Sequence, residues 1–486
     1  MKRFSYYSFL LIVHFFLIFI TVFGSIYVIL IGQPEWLIAF ITVPLANLLL
    51  LPITRKGVKF DPAHPILMVM VSLMIGTILR SFFIISPLQS DAKFLMLLGK
   101  PPEFLLTGII PIYIGFIFFV LGYYYPVKPI SAWFKKKIFY EDVSIKKFGP
   151  IAFIVTLISV YTAWEYFKKV GVDFSDVDAI SQKRRVSLGE GQGYSVMGYY
   201  RMVMDLIEPL FYIALMYMLI HKKKIWSLLG IFTLIIGILN LIYPFVESSR
   251  SNTLYILINT GLIIYYIKGQ IKIKYLIQVV FACGFIMVLM TALRNTKSAK
   301  RSATPVETNP IAIMVGSTNF LGVDKTSQII GGVPDKLDYQ YGYTFILWIV
   351  APIPSTMWKN KPDISFGLVI GDKIYEKREE DSFGGGIPPG FVAELYLNFG
   401  YAGIVAGMFI LGLVLKLLYD FFAKMRQTST FAMLIYIIVV VPFALKLIGG
   451  DFSTVITKVI KGVISIYVIM KLIQKKNTDT QSVIED

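Results

Sequence analysis

Apolar runs long enough to cross a bilayer recur from one end of this 486-residue chain to the other. A hydrocarbon core about 30 Å thick takes roughly 20 residues of helix, and backbone inside lipid must satisfy its own hydrogen bonds. No uninterrupted soluble stretch approaches the roughly 100 residues of an independent domain. The chain therefore reads as one all-α polytopic membrane domain, residues 1–486. A hydrophobic content of 56% and a mean hydropathy of +0.69 lie well outside the range of soluble globular domains.

Candidate spans lie near 9–31, 36–53, 65–85, 104–124, 148–166, 203–220, 225–245, 251–267, 275–292, 393–418, 430–448 and 454–473, about twelve in all. The first follows Lys2 and Arg3 like a signal peptide, but it is longer than an h-region and has no clear small-residue cleavage site, so it is read as a retained span. Lysine-rich loops at 54–60, 128–147, 221–224, 268–274 and 423–427 alternate with poorer ones, which puts those loops and both termini in the cytoplasm. The segment YTFILWIVAPIP (343–354) is too short to span and would invert every later loop if counted. A re-entrant or interfacial piece, with Pro352 and Pro354, keeps the parity. Two larger loops, 167–202 and 293–392, then face outward, so the working face is expected outside a cell membrane.

Arginine departs from the lysine pattern. Only Arg3, Arg55 and Arg426 face inward on this topology, while Arg80, Arg184, Arg185, Arg201, Arg250, Arg294, Arg301 and Arg378 fall outside. Outer arginines can pair with loop carboxylates or lipid headgroups, yet eight together favour an anionic ligand, because guanidinium grips phosphate through a planar fork. The +17 formal charge suits anionic membrane lipid as well. Nucleic acid is disfavoured, because the basic residues are scattered through short loops. The lone Cys283 sits in an apolar run and reads as a packing residue; His14, within the first span, reads as a packing or hydrogen-bonding histidine.

Several constellations could carry chemistry. In PFVESSRSNTLYILINTG (244–261), Glu247 and Arg250 share the outer start of a helix, either as a local ion pair or as an arginine ready to exchange its partner for phosphate. Arg201, Asp205 and Glu208 form a polar stripe that should face the bundle interior. Lys446, Asp451, Lys458 and Lys461 gather at the outer ends of the last two spans; Lys458 and Lys461 share one face, by snorkelling or as an inward basic pocket. Arg184 and Arg185 lie in QKRRVSLGEGQGYS, and Arg294 and Arg301 in RNTKSAKRS, within the two outer loops. GGGIPPG (384–390) forms a stiff collar before Glu394, whose carboxylate either complements a helix dipole or meets a ligand that the glycines let approach. Neither a metal-ligand cluster, nor a GxxxxGK[ST] loop, nor an internal repeat is visible, so no cofactor is expected.

YGYTFILWIVAPIPSTMWKNKP (341–362), followed by GGGIPPGFVAELYLNFGYAGIVAGMFILG (384–412), resembles the signature region of the O-antigen polymerase, or oligosaccharide repeat-unit polymerase (Wzy-type), family. The likeness is close over about 70 residues and extends elsewhere only in hydropathy and loop placement. It implies a GT-C-like, metal-independent, inverting membrane glycosyltransferase that joins repeat units carried on undecaprenyl diphosphate, alongside a flippase and a chain-length regulator. On that resemblance the binding residues are Arg250, Arg184, Arg185, Arg201, Arg294, Arg301, Lys458 and Lys461, with Tyr396 and Asn398 of the signature helix. Glu394 is the first choice of base and Glu247 the second. A flippase or exporter of lipid-linked glycans and an O-antigen ligase-like transferase are the alternatives. The chain has no external histidine of the kind such ligases are expected to carry.

Overall fold

The computed structural model describes residues 6–54, 61–86, 99–127, 145–170, 197–246, 250–269, 314–317, 319–353, 357–358, 360–362, 364–375, 386–425 and 429–473. Among the described residues the chain is helical and carries no strand. The helices are α1 (Tyr6–Leu30), α2 (Pro34–Leu50), α3 (Pro65–Ile85), α4 (Pro102–Tyr124), α5 (Ile145–Val170), α6 (Met197–Met204), α7 (Ile207–Ile220) and α8 (Leu228–Val246). They continue with α9 (Arg250–Lys268), α10 (Val323–Gly332), α11 (Tyr343–Val350), α12 (Gly367–Lys373), α13 (Phe391–Met425), α14 (Thr430–Gly449) and α15 (Phe452–Ile473).

Seven described segments are long and apolar enough to cross a membrane: α1, α3, α4, α5, Met202–Ile220, α13 and α14. The protein is thus an all-α membrane-embedded chain. α2 and α8 are shorter apolar helices, and the expected span at 275–292, with Cys283, lies outside the described residues. Large apolar side chains cover the outer surface, among them Phe15, Tyr161 and Leu234, as lipid contact requires. α1 buries only Leu10 and Val28. His14 anchors it by bridging Asn47 Oδ1 and Thr54 Oγ1, each at 2.9 Å, and so ties α1 to α2 and the turn beyond it.

Helix starts follow local chemistry. Pro65 opens α3 behind His64, whose ring accepts from the Ile66 amide, and Ser429 caps α14 through the Ala432 amide. α4 and α13 make the closest pair. A Cβ on Gly122 would meet the Phe409 carbonyl, and one on Gly412 the Phe119 carbonyl, each at 2.0 Å, so backbone lies on backbone as small residues permit in membranes. Opposite the site described below, Tyr266 and Tyr419 both donate to Asp61, joining α9 and α13 to the start of α3.

Among the described residues four apolar cores result, one of them a small cluster of Ala163, Tyr166, Phe167 and Met204 between α5 and α6. Of the others, one is centred on α2, α3, α4 and α13, a second on α5, α7, α9, α14 and α15. The third is small, formed by Ile329, Leu347, Phe366, Ile370, Ile387, Ala393 and Leu397 from α10 to the start of α13. That third core belongs to the stretch expected to hold an outer loop and a re-entrant piece. Within it α11 has eight residues, about 12 Å at 1.5 Å per residue, too short to cross.

α13 is not one rod. Phe399 (φ −141°, ψ 17°) and Gly400 (φ 61°, ψ −149°) are non-helical, and the Gly400 geometry is open essentially to glycine alone. Beyond the break the chain folds back: a Cβ on Gly403 would lie 2.4 Å from the Leu395 carbonyl, and one on Gly407 would clash with the Leu395 side chain. Residues 391–398 are therefore the short arm of a helical hairpin, and the continuous rise resumes at Tyr401. The expected span at 393–418 is corrected accordingly: Glu394 belongs to the short arm, not to the first turn of the crossing helix.

Candidate functional site

The short arm is locked by its own polar residues. Glu394 is fully buried; its Oε1 accepts from the Thr344 hydroxyl and its Oε2 from the Phe452 amide, both at 2.8 Å. Asn398, also fully buried, donates to Thr344 Oγ1 and to the Glu394 carbonyl, and accepts from the Gly342 amide, all at 2.8 Å. Glu394 and Asn398 together pin α11, α13 and α15 to one point. The collar works within the protein in this conformation: Gly390 (φ 77°) donates to the Gly450 carbonyl at 2.9 Å, and Ile387 donates to the Gly367 carbonyl at 2.8 Å. The close approach that the glycines allow is thus made to neighbouring backbone.

Behind this unit lies a buried ion array. Arg80 of α3 holds Asp324 of α10 through Nη2–Oδ2 and Nε–Oδ1 contacts, both 2.8 Å, and its Nη1 donates to the carbonyls of Val315 and Ser317. Lys325 donates to the carbonyls of Gly449 (2.9 Å) and Phe320 (3.2 Å). Burial pushes the Lys325 ammonium down to about 7, with Arg80 adding to the shift and Asp324 and Asp451 opposing it. Asp451 caps α15 through the Thr454 amide and accepts from Ser365. Arg80, placed among the outward arginines by sequence, is engaged with Asp324, and Asp451 serves as a cap for α15 rather than as part of a lysine pocket.

One helical turn from that array, charge collects along a partly exposed crevice between helices. Lys446 of α14 lies over the Tyr255 ring of α9, 3.8 Å from its centroid, close enough to Glu208 and Lys458 for their charges to interact. Glu208 and Lys446 sit deep between α7, α9, α14 and α15 yet keep some accessible surface, as side chains lining a crevice do; Lys458 is exposed. The Tyr212 hydroxyl stands 3.3 Å from Glu208 Oε1, and Asn259 leaves a buried Oδ1 without a hydrogen-bond partner. Lys461 follows Lys458 on the same face of α15. Two ammonium groups and a phenol can receive an oxyanion, while Glu208 balances the charge when none is bound.

The expected residues divide as follows. Lys458 reaches the crevice. Glu394 and Asn398 form the lock, and Tyr396 is half-buried against Tyr339 and Tyr401. Arg201 lies in α6, one turn before Asp205 and two before Glu208, and Arg250 opens α9 ahead of Tyr255, so both backbones approach the crevice end; their side chains lie outside the described residues. Glu247, Arg184, Arg185, Arg294 and Arg301 lie outside the described residues altogether. Sequence reasoning missed Tyr212, Tyr255, Asn259 and the Asp324–Lys325 pair. The polar residues breaking SNTLYILINTG and the charges in GVDKTSQ were the available signals. Among the described residues no group of three metal-ligating side chains occurs. Compared with family models, curated proteins and solved structures, the chain gives no match.

Proposed function

We propose that the protein is a membrane glycosyltransferase that polymerises undecaprenyl-diphosphate-linked oligosaccharide repeat units on the outer face of the cell membrane. The convergence of Lys446 and Glu208 between the helices, with the exposed Lys458 near enough for its charge to act on Lys446, carries this reading: cations are costly at membrane depth and repay their cost by meeting an anion. The resemblance of 341–362 and 384–412 to repeat-unit polymerases supplies the glycan half. α11 then lies at the interface, with Ile346 and Ile349 exposed towards lipid.

In the reaction, a sugar hydroxyl of one repeat unit attacks the anomeric carbon of another. The bond from that carbon to phosphate oxygen breaks, and undecaprenyl diphosphate leaves with the electron pair. Lys446 and Lys458, with Arg201 and Arg250 at the helix starts, stabilise the growing diphosphate charge, releasing Glu208 from its balancing role. The attacking hydroxyl gives its proton to Glu394, which it reaches by replacing Thr344 at Oε1. Direct displacement inverts the anomeric centre.

The test has two arms. A deletion strain should display single repeat units and no polymer. Purified protein in vesicles should convert lipid-diphosphate repeat units to a ladder without added metal. A deletion strain that displays no glycan at all would assign the chain to export instead, and one with free, unattached polymer would assign it to ligation.

A further inference from the structure

Four tyrosines meet where the signature hairpin turns. Tyr339 packs against Tyr396 with ring centroids 6.1 Å apart and against Tyr341 at 6.4 Å; Tyr396 meets Tyr401 edge to face at 5.3 Å. The group is built rather than incidental. Gln340 donates its amide to the Leu397 carbonyl at 2.9 Å, and Gly342 donates to Asn398 at 2.8 Å, fastening the 339–342 loop to the short arm. Tyr341 is held at φ 46°, a left-handed backbone that a bulky aromatic residue rarely adopts, and its side chain stands 80% exposed. Tyr401 is 49% exposed across the Phe399–Gly400 break. A strained loop that spends its conformation on projecting an aromatic ring points to a ligand.

Two surroundings could take exposed tyrosines, a bilayer interface or a sugar. The neighbours favour the sugar: Asp335, Lys336 and Asp338, on the approach to Tyr339, are all exposed, which sets the group on the water side. There, ring faces carry partial negative charge that attracts the C–H edges of a pyranose, and the phenol hydroxyls can exchange hydrogen bonds with sugar hydroxyls.

We propose that Tyr341 and Tyr401, backed by Tyr339 and Tyr396, form a stacking platform for the pyranose rings of a glycan chain and feed it towards the Glu394–Thr344 lock. Its identity as the acceptor repeat unit rests on the polymerase reading above. Its existence as a carbohydrate site does not.

The experiment uses the full chain in nanodiscs and the oligosaccharide released by mild acid from polyprenyl diphosphate in a deletion strain. Saturation-transfer NMR should show sugar C–H protons receiving magnetisation from the protein. Tyr341→Ala and Tyr401→Ala should each weaken binding about tenfold, whereas Tyr341→Phe and Tyr401→Phe should stay within about threefold. Unchanged binding in a folded Tyr341→Ala/Tyr401→Ala double variant overturns the platform. A nitroxide at Tyr341→Cys gives an independent readout: collisions with a water-soluble nickel chelate above those with oxygen support the water-side placement, and the reverse overturns it in favour of a lipid interface. Should the deletion strain accumulate no single repeat units, the polymerase reading fails, and cellotetraose and maltotetraose replace the probe. Transfer to neither tetrasaccharide then overturns the platform as well.

Discussion

Removing the Glu394 carboxylate separates its two proposed roles. Glu394→Ala leaves the Phe452 amide and the Thr344 hydroxyl without their acceptor in a fully buried setting. An orphaned buried polar group costs about 1–3 kcal/mol. Thr344 still accepts from Asn398 and can turn, whereas the Phe452 amide is fixed at the start of α15, so the lower half of the summed range applies, about 2–4 kcal/mol. Glu394→Gln keeps one oxygen for Phe452 and turns its NH2 towards Thr344 Oγ1, which should cost about 1 kcal/mol. Reversible unfolding in mixed micelles measures both. If Glu394 is also the base, the Gln variant folds but forms no polymer, because an amide cannot take the proton. An Ala variant within about 0.5 kcal/mol of the parent would refute the lock. Near-normal polymer from the Gln variant would refute the base.

Arg80→Met should destabilise the fold by about 3–5 kcal/mol by leaving Asp324 charged and buried, and adding Asp324→Leu should recover most of that loss in the same unfolding assay. Gly400→Ala should cost about 1–3 kcal/mol, since ψ −149° at positive φ excludes a Cβ, and protease cutting near the hairpin should rise. Lys325 has its folded pKa lowered to about 7 from 10.5, so between these values the unfolded chain binds more protons and stability rises with pH. Lys325→Met should flatten that rise in a pH series of unfolding measurements.

Helix existence was legible because lipid demands long apolar runs, and the 343–354 segment was visibly too short to span, as its eight-residue helix shows. The hairpin was not legible. FVAELYLNFGYAGIVAG is apolar on both sides of Gly400, and glycine is common in membrane helices, so hydropathy carried no sign of a reversal. The roles of charges were half legible. Of the Arg201, Asp205 and Glu208 stripe expected to face inward, Glu208 is half-buried but Asp205 is exposed, as is Lys458, for which snorkelling and an inward pocket were both open; Arg80 and Asp451 looked similar in sequence but are engaged by Asp324 and the α15 amides. Which cation is spent on structure depends on partners distant in the chain, and those pairings follow from packing rather than from local pattern.

The central claim is that the crevice of Lys446 and Lys458 holds the diphosphate of a polyprenyl carrier. Native mass spectrometry of the protein with undecaprenyl diphosphate tests it most directly. The account predicts that the parent retains the lipid, while Lys446→Met and Lys458→Met, each folded, lose at least tenfold in retention. Equal retention by all three proteins would contradict it.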